Sequence, residues 1–251
     1  MPFDFSGKKV VVCGGSRGIG RSIALGFAQS GAAVSICARG AEALEATRKE
    51  LAKSAKTAHA GVCDLSDNGA ITGYVADAAR ALGGIDVLIN NASGFGMGDG
   101  EEGWAPSLSV DVMATVRASR EALPHMEKAG GGAIVNISSI SGLAPSVRTP
   151  AYGAVKAAVI HYTTSQAATW ARKGIRVNCI APGSIEFPGG VWDQRKKSAP
   201  ELYGRILNSI PFGRLGHPEE VANVALFLCS EQGRWVTGQT IAVDGGQMLG
   251  V

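Results

Sequence analysis

The sequence has little with which to build a disulfide scaffold, a metal centre or a membrane span. Its five cysteines are odd in number and include no Cys-x-x-Cys pair, so they read as buried reduced thiols rather than a bonded framework. Four histidines, His59, His125, His161 and His217, stand far apart and form no metal-ligand spacing. No apolar run reaches the ~18 residues that a spanning helix needs. The amino-terminal stretch Met1-Pro-Phe-Asp-Phe-Ser-Gly-Lys-Lys9 lacks the order of charge, apolar run and cleavage site that marks a signal peptide. A cytoplasmic protein with no membrane contact is expected. Net charge is only +3 and the Lys and Arg residues are scattered, which leaves no basic stripe for nucleic acid. There is also no internal repeat, low-complexity tract or linker.

What is present suits one large α/β domain covering residues 1–251. Hydrophobic residues make up 45% and charged residues 18% of the 251, enough to fill a sizeable core. Apolar runs at 8–13, 34–38, 57–62 and 87–90 read as strands, and 19–30, 42–53 and 68–81 between them read as helices. Further strands are expected at 133–139, 175–180 and 239–243, with a helix at 151–172. Strand and helix in alternation predict a parallel sheet covered on both faces. Cys13, Cys37, Cys63 and Cys179 would lie in strands and Cys229 in a helix.

The turn after the first run is Gly14-Gly-Ser16-Arg17-Gly18-Ile19-Gly20. It follows a strand and opens a helix, the setting in which glycines let a backbone approach a pyrophosphate at a helix N-terminus. An acidic residue at the end of the second strand would hold a ribose 2′-hydroxyl; an Arg would accept a 2′-phosphate. That place is occupied by Arg39, and Arg17 is within reach of it. Two guanidiniums suit a phosphate, so NADP(H) is expected over NAD(H).

Tyr152 and Lys156 are four apart in a helical stretch and share one face. A fixed ammonium favours the phenolate, which would bring the Tyr closer to useful acid–base chemistry. Ser139 ends the fifth apolar run, at the strand edge where open α/β sheets hold ligands.

These residues, together with Asp64-Leu65, Asn90-Asn91-Ala92, Pro182-Gly183 and the tail Asp244-Gly245-Gly246, resemble the single-domain short-chain dehydrogenase/reductase family, and its 3-oxoacyl-ACP-reductase-like members most. The resemblance spans residues 6–248. It implies a three-layer doubly wound Rossmann fold with a seven-stranded parallel sheet. By the same resemblance the glycine turn carries the pyrophosphate, Asp64 accepts from the adenine amino group, and Leu65 lies beside the ring. Asn91 and Ala92 line the adenosine side. Pro182, Gly183 and Ile185 pack on the nicotinamide. Tyr152 exchanges a proton with the substrate, Lys156 holds the nicotinamide ribose and lowers the Tyr pKa, and Ser139, rather than Ser138, bonds the reacting oxygen. The implied reaction interconverts a ketone and a secondary alcohol, with a 3-oxoacyl thioester, a sugar or polyol, or a steroid as small-molecule substrate, in a homotetramer or homodimer. A catalytically silent dinucleotide-binding module is the alternative.

Three positions depart from the family pattern: Asp111 stands where an Asn is usual, Ser93 for Gly, and Phe187 for Thr. Asp111 would favour the Lys156 ammonium and alter the pH profile. The glycine-rich stretch 93–103 reads as a solvated loop that borders the site, with Glu101 and Glu102 on the surface. Residues 187–211 would close over substrate, with Gly189-Gly190 as hinge and Trp192, Tyr203 and Phe212 offering apolar contact. Arg195-Lys196-Lys197 offers charge to an anionic carrier such as a phosphopantetheine group but reads mainly as a solvated helix face. His217-Pro218-Glu219-Glu220 reads as a helix start.

Overall fold

In the computed structural model, which describes residues 3–250, the chain alternates strand and helix as its apolar periodicity requires. Met1 and Pro2 of the amino-terminal stretch lie outside the described residues. The strands are β1 Lys9–Cys13, β2 Ala33–Ala38, β3 Ala58–Val62, β4 Val87–Asn90, β5 Gly132–Ile137, β6 Ile175–Pro182 and β7 Thr240–Val243. They form one sheet in the order β3-β2-β1-β4-β5-β6-β7, and every pair is parallel. The order reverses between β1 and β4, which opens a crevice at the carboxyl ends of these strands.

Successive strand residues point to opposite faces, and both faces are covered. Val10, Val12, Val34 and Ile36 pack against Ile23 and Phe27 of α1 (Gly18–Gln29), Leu44 and Leu51 of α2 (Ala41–Leu51), and a later helix at Pro218–Cys229. Val11, Leu88, Ile134 and Val177 pack against the other layer. That layer is built from α3 (Asn68–Leu82), α5 (Ala114–Lys128) and α6 (Pro150–Trp170). Truncating one of these fully buried side chains to Ala costs about 2–5 kcal/mol in such a core. Within the second layer the amide of Asn136 donates to Thr163 Oγ1 at 2.9 Å and to Gln166 Oε1 at 3.0 Å, and accepts from Asn90 at 2.8 Å. This buried polar chain ties β4, β5 and α6 together.

The elements depart from the sequence reading in three places. The stretch 93–103 is a loop only as far as Gly100. A short helix, α4 (Glu101–Pro106), then runs into a π-helical turn at Ser107–Met113 and on into α5. Pro106 has no N–H to give the helical ladder, and the chain continues past it in a wider turn. Glu101 and Glu102 are exposed in the first turn of α4, as expected. Cys63 lies one residue beyond β3, and Ser139 two beyond β5, where it caps the short 3₁₀ turn Ile140–Gly142. All five cysteines are free and buried. The segment after β6 forms α7 (Val191–Ser198) and α8 (Pro200–Asn208). α9 (Pro218–Cys229) opens as expected, with Pro218 in the first turn and a reciprocal cap between His217 and Glu220.

Candidate active site

The crevice is a cleft of about 1140 Å³ along the carboxyl edge of the sheet. One end is built on the glycine turn. Gly14 has φ +86°, and a Cβ there would lie 2.9 Å from the Ala92 backbone. A Cβ on Gly20 would lie 2.1 Å from the Gly14 carbonyl oxygen. Asn91 Nδ2 donates to that same oxygen at 2.8 Å, and Thr47 Oγ1 donates to the Ser16 carbonyl at 3.0 Å. The turn is thus held from both sides while α1 begins at Gly18 with no acidic residue in its first turn, leaving free N–H groups and a partial positive charge.

Gly14, Ser16, Arg17 and Ile19 line the cleft; Gly18 and Gly20 do not, and act instead by letting the turn close. Arg39, Asp64, Leu65, Asn91 and Ala92 line the same end. Asp64 Oδ1 accepts from the Ser66 N–H at 2.9 Å and the Ser66 hydroxyl at 2.8 Å. These bonds, the backbone one first, hold its pKa below the usual carboxylate value, with help from the charge of Arg39.

Tyr152, Lys156 and Ser139 line the cleft together with Pro182, Gly183 and Ile185. Pro150 starts α6, and the i, i+4 spacing places the Lys156 ammonium 5.5 Å from the centre of the Tyr152 ring. Ser138 Oγ donates to the Lys156 carbonyl at 2.8 Å, so Ser138 is committed to the backbone. The neighbouring Ser139 hydroxyl accepts from the Ser141 N–H at 3.1 Å and lies near enough to the Tyr152 phenol to favour its phenolate. Asp111 does not line the cleft. It sits behind it on the π-turn, with Oδ1 2.9 Å from Lys156 Nζ and Oδ2 accepting from the Gly94 N–H at 2.9 Å. Lys156 Nζ also donates to the Ile137 carbonyl at 2.8 Å.

The electrostatics correct one expectation. Desolvation pushes the Tyr152 phenol up. Lys156 pulls it down, Asp111 pushes it up again, the Ser139 hydroxyl favours the phenolate, and the balance is upward. For Lys156, burial disfavours the ammonium, yet Asp111 and Tyr152 outweigh it and its pKa is raised. A depressed phenol, expected from Lys156 alone, is not found, because burial disfavours the phenolate and the Asp111 carboxylate adds to that against the ammonium's pull.

Other positions moved or were missed. Phe187 lays its ring against Gly18, where a Cβ would come within 2.5 Å of the ring, and so covers the glycine turn. Ser93 is exposed at the cleft edge, its hydroxyl accepting from the Phe95 N–H at 3.0 Å. Phe95 itself went unnoticed in the sequence. Its φ of +44° and its edge-on contact with Tyr152, at 4.9 Å between ring centres, place it in the cleft. Gly94 and Gly96 make that possible, since a Cβ on either would strike the Pro106 or Gly103 backbone. Trp192 and Arg195 line the cleft. Tyr203 instead donates to Glu186 at 2.8 Å, and Phe212 is 74% exposed and lies outside it. Arg148 and Arg205, also missed, line it too.

A family model described as enoyl-(acyl carrier protein) reductase matches residues 14–248. The 3-oxoacyl-[acyl-carrier-protein] reductase FabG of Chlamydia muridarum is 38% identical over 244 residues, covering 95% of this chain and 96% of that protein. The chain belongs to the short-chain dehydrogenase/reductase family of oxidoreductases. The 7alpha-hydroxysteroid dehydrogenase of Escherichia coli K12 is 34% identical over 244 residues, covering 96% of this chain and 94% of that protein. A solved structure of a 7 alpha-hydroxysteroid dehydrogenase complexed with NADH and 7-oxo glycochenodeoxycholic acid superposes with a TM-score of 0.89 at 33% identity. It covers 97% of this chain and 95% of that one. Among the described residues no helix is long and apolar enough to cross a membrane.

Proposed function

We propose that the protein is an NADP(H)-dependent reductase or dehydrogenase that interconverts a ketone and a secondary alcohol, acting as a single catalytic domain. The observation that carries this reading is the convergence of Tyr152, Ser139 and Lys156 on one cleft whose other end is a glycine cradle flanked by Arg17 and Arg39. The cradle fits a dinucleotide: the close approach at Gly14 and Gly20 leaves backbone N–H groups open toward phosphates. Arg17 and Arg39 are exposed at its edge with no carboxylate paired to either among the described residues, which suits a 2′-phosphate better than a 2′-hydroxyl.

A bound nicotinamide would supply the hydride donor or acceptor. In reduction Tyr152 gives its hydroxyl proton to the carbonyl oxygen, and the Ser139 hydroxyl donates to the same oxygen as charge develops on it. In oxidation Tyr152 takes the alcohol proton. Lys156, held by Asp111 and the Ile137 carbonyl, keeps a positive charge beside the phenol in both directions. Burial, the largest influence on the phenol, disfavours its phenolate, which suits the proton-giving role in reduction. Pro182, Gly183 and Ile185 would seat the nicotinamide, and Asp64 and Leu65 the adenine.

A 3-oxoacyl thioester is the first substrate class to try and a steroid the second, both on the strength of the relatives. We extend the reading to a cytoplasmic homodimer or homotetramer; Leu108 and Met113, exposed on the helix that carries Asp111, offer apolar surface for such pairing. Light scattering gives the mass directly. Function is tested by kcat/KM over a ketone panel with NADPH and with NADH. A marked NADPH preference is expected, and a clear NADH preference would defeat the cofactor assignment.

A further inference from the structure

The cations lining the cleft are Arg17, Arg39, Arg148, Lys156, Arg195 and Arg205, and the only carboxylate among its lining residues is Asp64. Arg17 and Arg39 flank the glycine cradle, and Lys156 is matched by Asp111. Three guanidiniums remain. They come from separate segments: Arg148 from the loop four residues ahead of Tyr152, Arg195 from α7 and Arg205 from α8.

None of these three pairs with a carboxylate among the described residues; Asp193, on α7 with Arg195, accepts from the Gly189 N–H instead. Glu186 takes Lys196, and Glu220 takes Arg214. Arg195 is half-buried, with its guanidinium 5.0 Å above the centre of the Trp192 ring. Burial lowers the Arg195 pKa, and the charge of Arg148 pushes in the same direction, which places the two within each other's field. Arg148 and Arg205 are exposed at the cleft's rim, and like charges lining one cleft with no counter-charge beside them repel. An anion between them would relieve that repulsion, and flat guanidinium forks match a carboxylate or phosphate edge. Trp192, Val147 and Ile206 supply apolar wall beside them.

The geometry points to an anion subsite formed by Arg148, Arg195 and Arg205, which holds a carboxylate or phosphate carried by the ketone substrate away from its reacting carbonyl. This inference rests on the ketone–alcohol reading for where the reacting end lies. It assigns the substrate class: an anionic ketone rather than a neutral one.

The test is calorimetric titration of the NADP⁺-loaded protein with three ligands: 3-oxooctanoate, its methyl ester, and the phosphate monoester of 1-hydroxy-2-octanone. Loading with NADP⁺ fills the Arg17 and Arg39 end, so the ligands report the other one. At least one anion should bind about tenfold or more tighter than the ester, and the advantage should shrink as salt rises. A tighter acid identifies a carboxylate as the natural group, and a tighter phosphate ester a phosphate. Arg148→Gln and Arg195→Gln should each remove most of the advantage while leaving ester binding unchanged, and Arg195→Lys should keep part of it. Binding of the ester as tight as that of both anions, an anion preference that survives Arg148→Gln/Arg195→Gln/Arg205→Gln, or no binding by any of the three overturns the subsite. Turnover with NADPH is read separately on the same compounds. Anion binding without turnover would defeat the redox reading and leave the subsite standing; turnover without anion preference would do the reverse.

Discussion

Asp111 and Lys156 form an ion pair of 2.9 Å whose side chains are 0% and 3% exposed. The pair joins the π-turn before α5 to the helix that carries Tyr152, and it sets the charge seen by the phenol. Asp111→Asn removes a negative charge that raises Tyr152. The phenolate then forms at lower pH, so the rising limb of kcat/KM against pH for alcohol oxidation should move to lower pH. An unchanged limb would show that Asp111 has no hold on the proton. Asp111→Ala leaves the Lys156 charge buried without its partner and should cost about 3–5 kcal/mol of stability, read by denaturant unfolding.

In the proposed reading the Arg39 guanidinium meets a 2′-phosphate. Arg39→Ala should raise KM for NADPH by about tenfold or more, the size of one lost charge-assisted hydrogen bond, and leave KM for NADH nearly unchanged. Equal effects on both cofactors would place Arg39 elsewhere.

Gly20 has no room for a side chain, because its Cβ would strike the Gly14 carbonyl at 2.1 Å. Gly20→Ala should cost on the order of 1–3 kcal/mol through overpacking and weaken NADPH binding, since the turn can no longer close. Thermal melting and a fluorescence titration with NADPH check the two effects.

Glu220 caps α9 and is gripped by Arg214. The Arg214 hydrogen bond, then the His217 N–H, pulls its pKa from 4.5 to about 2. Its folded-state value lies below its unfolded one, so its contribution is present above pH 4.5 and fades as pH falls toward 2. Glu220→Gln keeps an acceptor for the His217 N–H but removes the charge that Arg214 grips, and should lower stability by about 0.2–1 kcal/mol at pH 7. The gap between variant and parent should close in acid.

The parallel sheet was legible because strands buried on both faces read as short apolar runs, such as Lys9–Cys13 and Val87–Asn90. The glycine turn and the Tyr152–Lys156 spacing were legible because each is local. Phe95 was not: its place depends on Gly94 and Gly96 packing against backbone many residues away. The helical start at Glu101 was hidden by its glycines and by Pro106, whose weak propensities are overridden by packing. Arg148 and Arg205 carry no signal singly and matter only where three segments meet. The direction of the Tyr152 pKa is not legible from the Tyr152–Lys156 spacing, because it depends on burial and on the buried Asp111 carboxylate, which only the fold brings together.

The central claim is that the Tyr152 hydroxyl moves the proton. Tyr152→Phe removes that oxygen and little else. Steady-state turnover of a ketone accepted by the parent enzyme, with NADPH binding measured alongside, should fall by about 10²–10⁴-fold while cofactor affinity holds. Turnover by Tyr152→Phe equal to that of the parent would contradict the account.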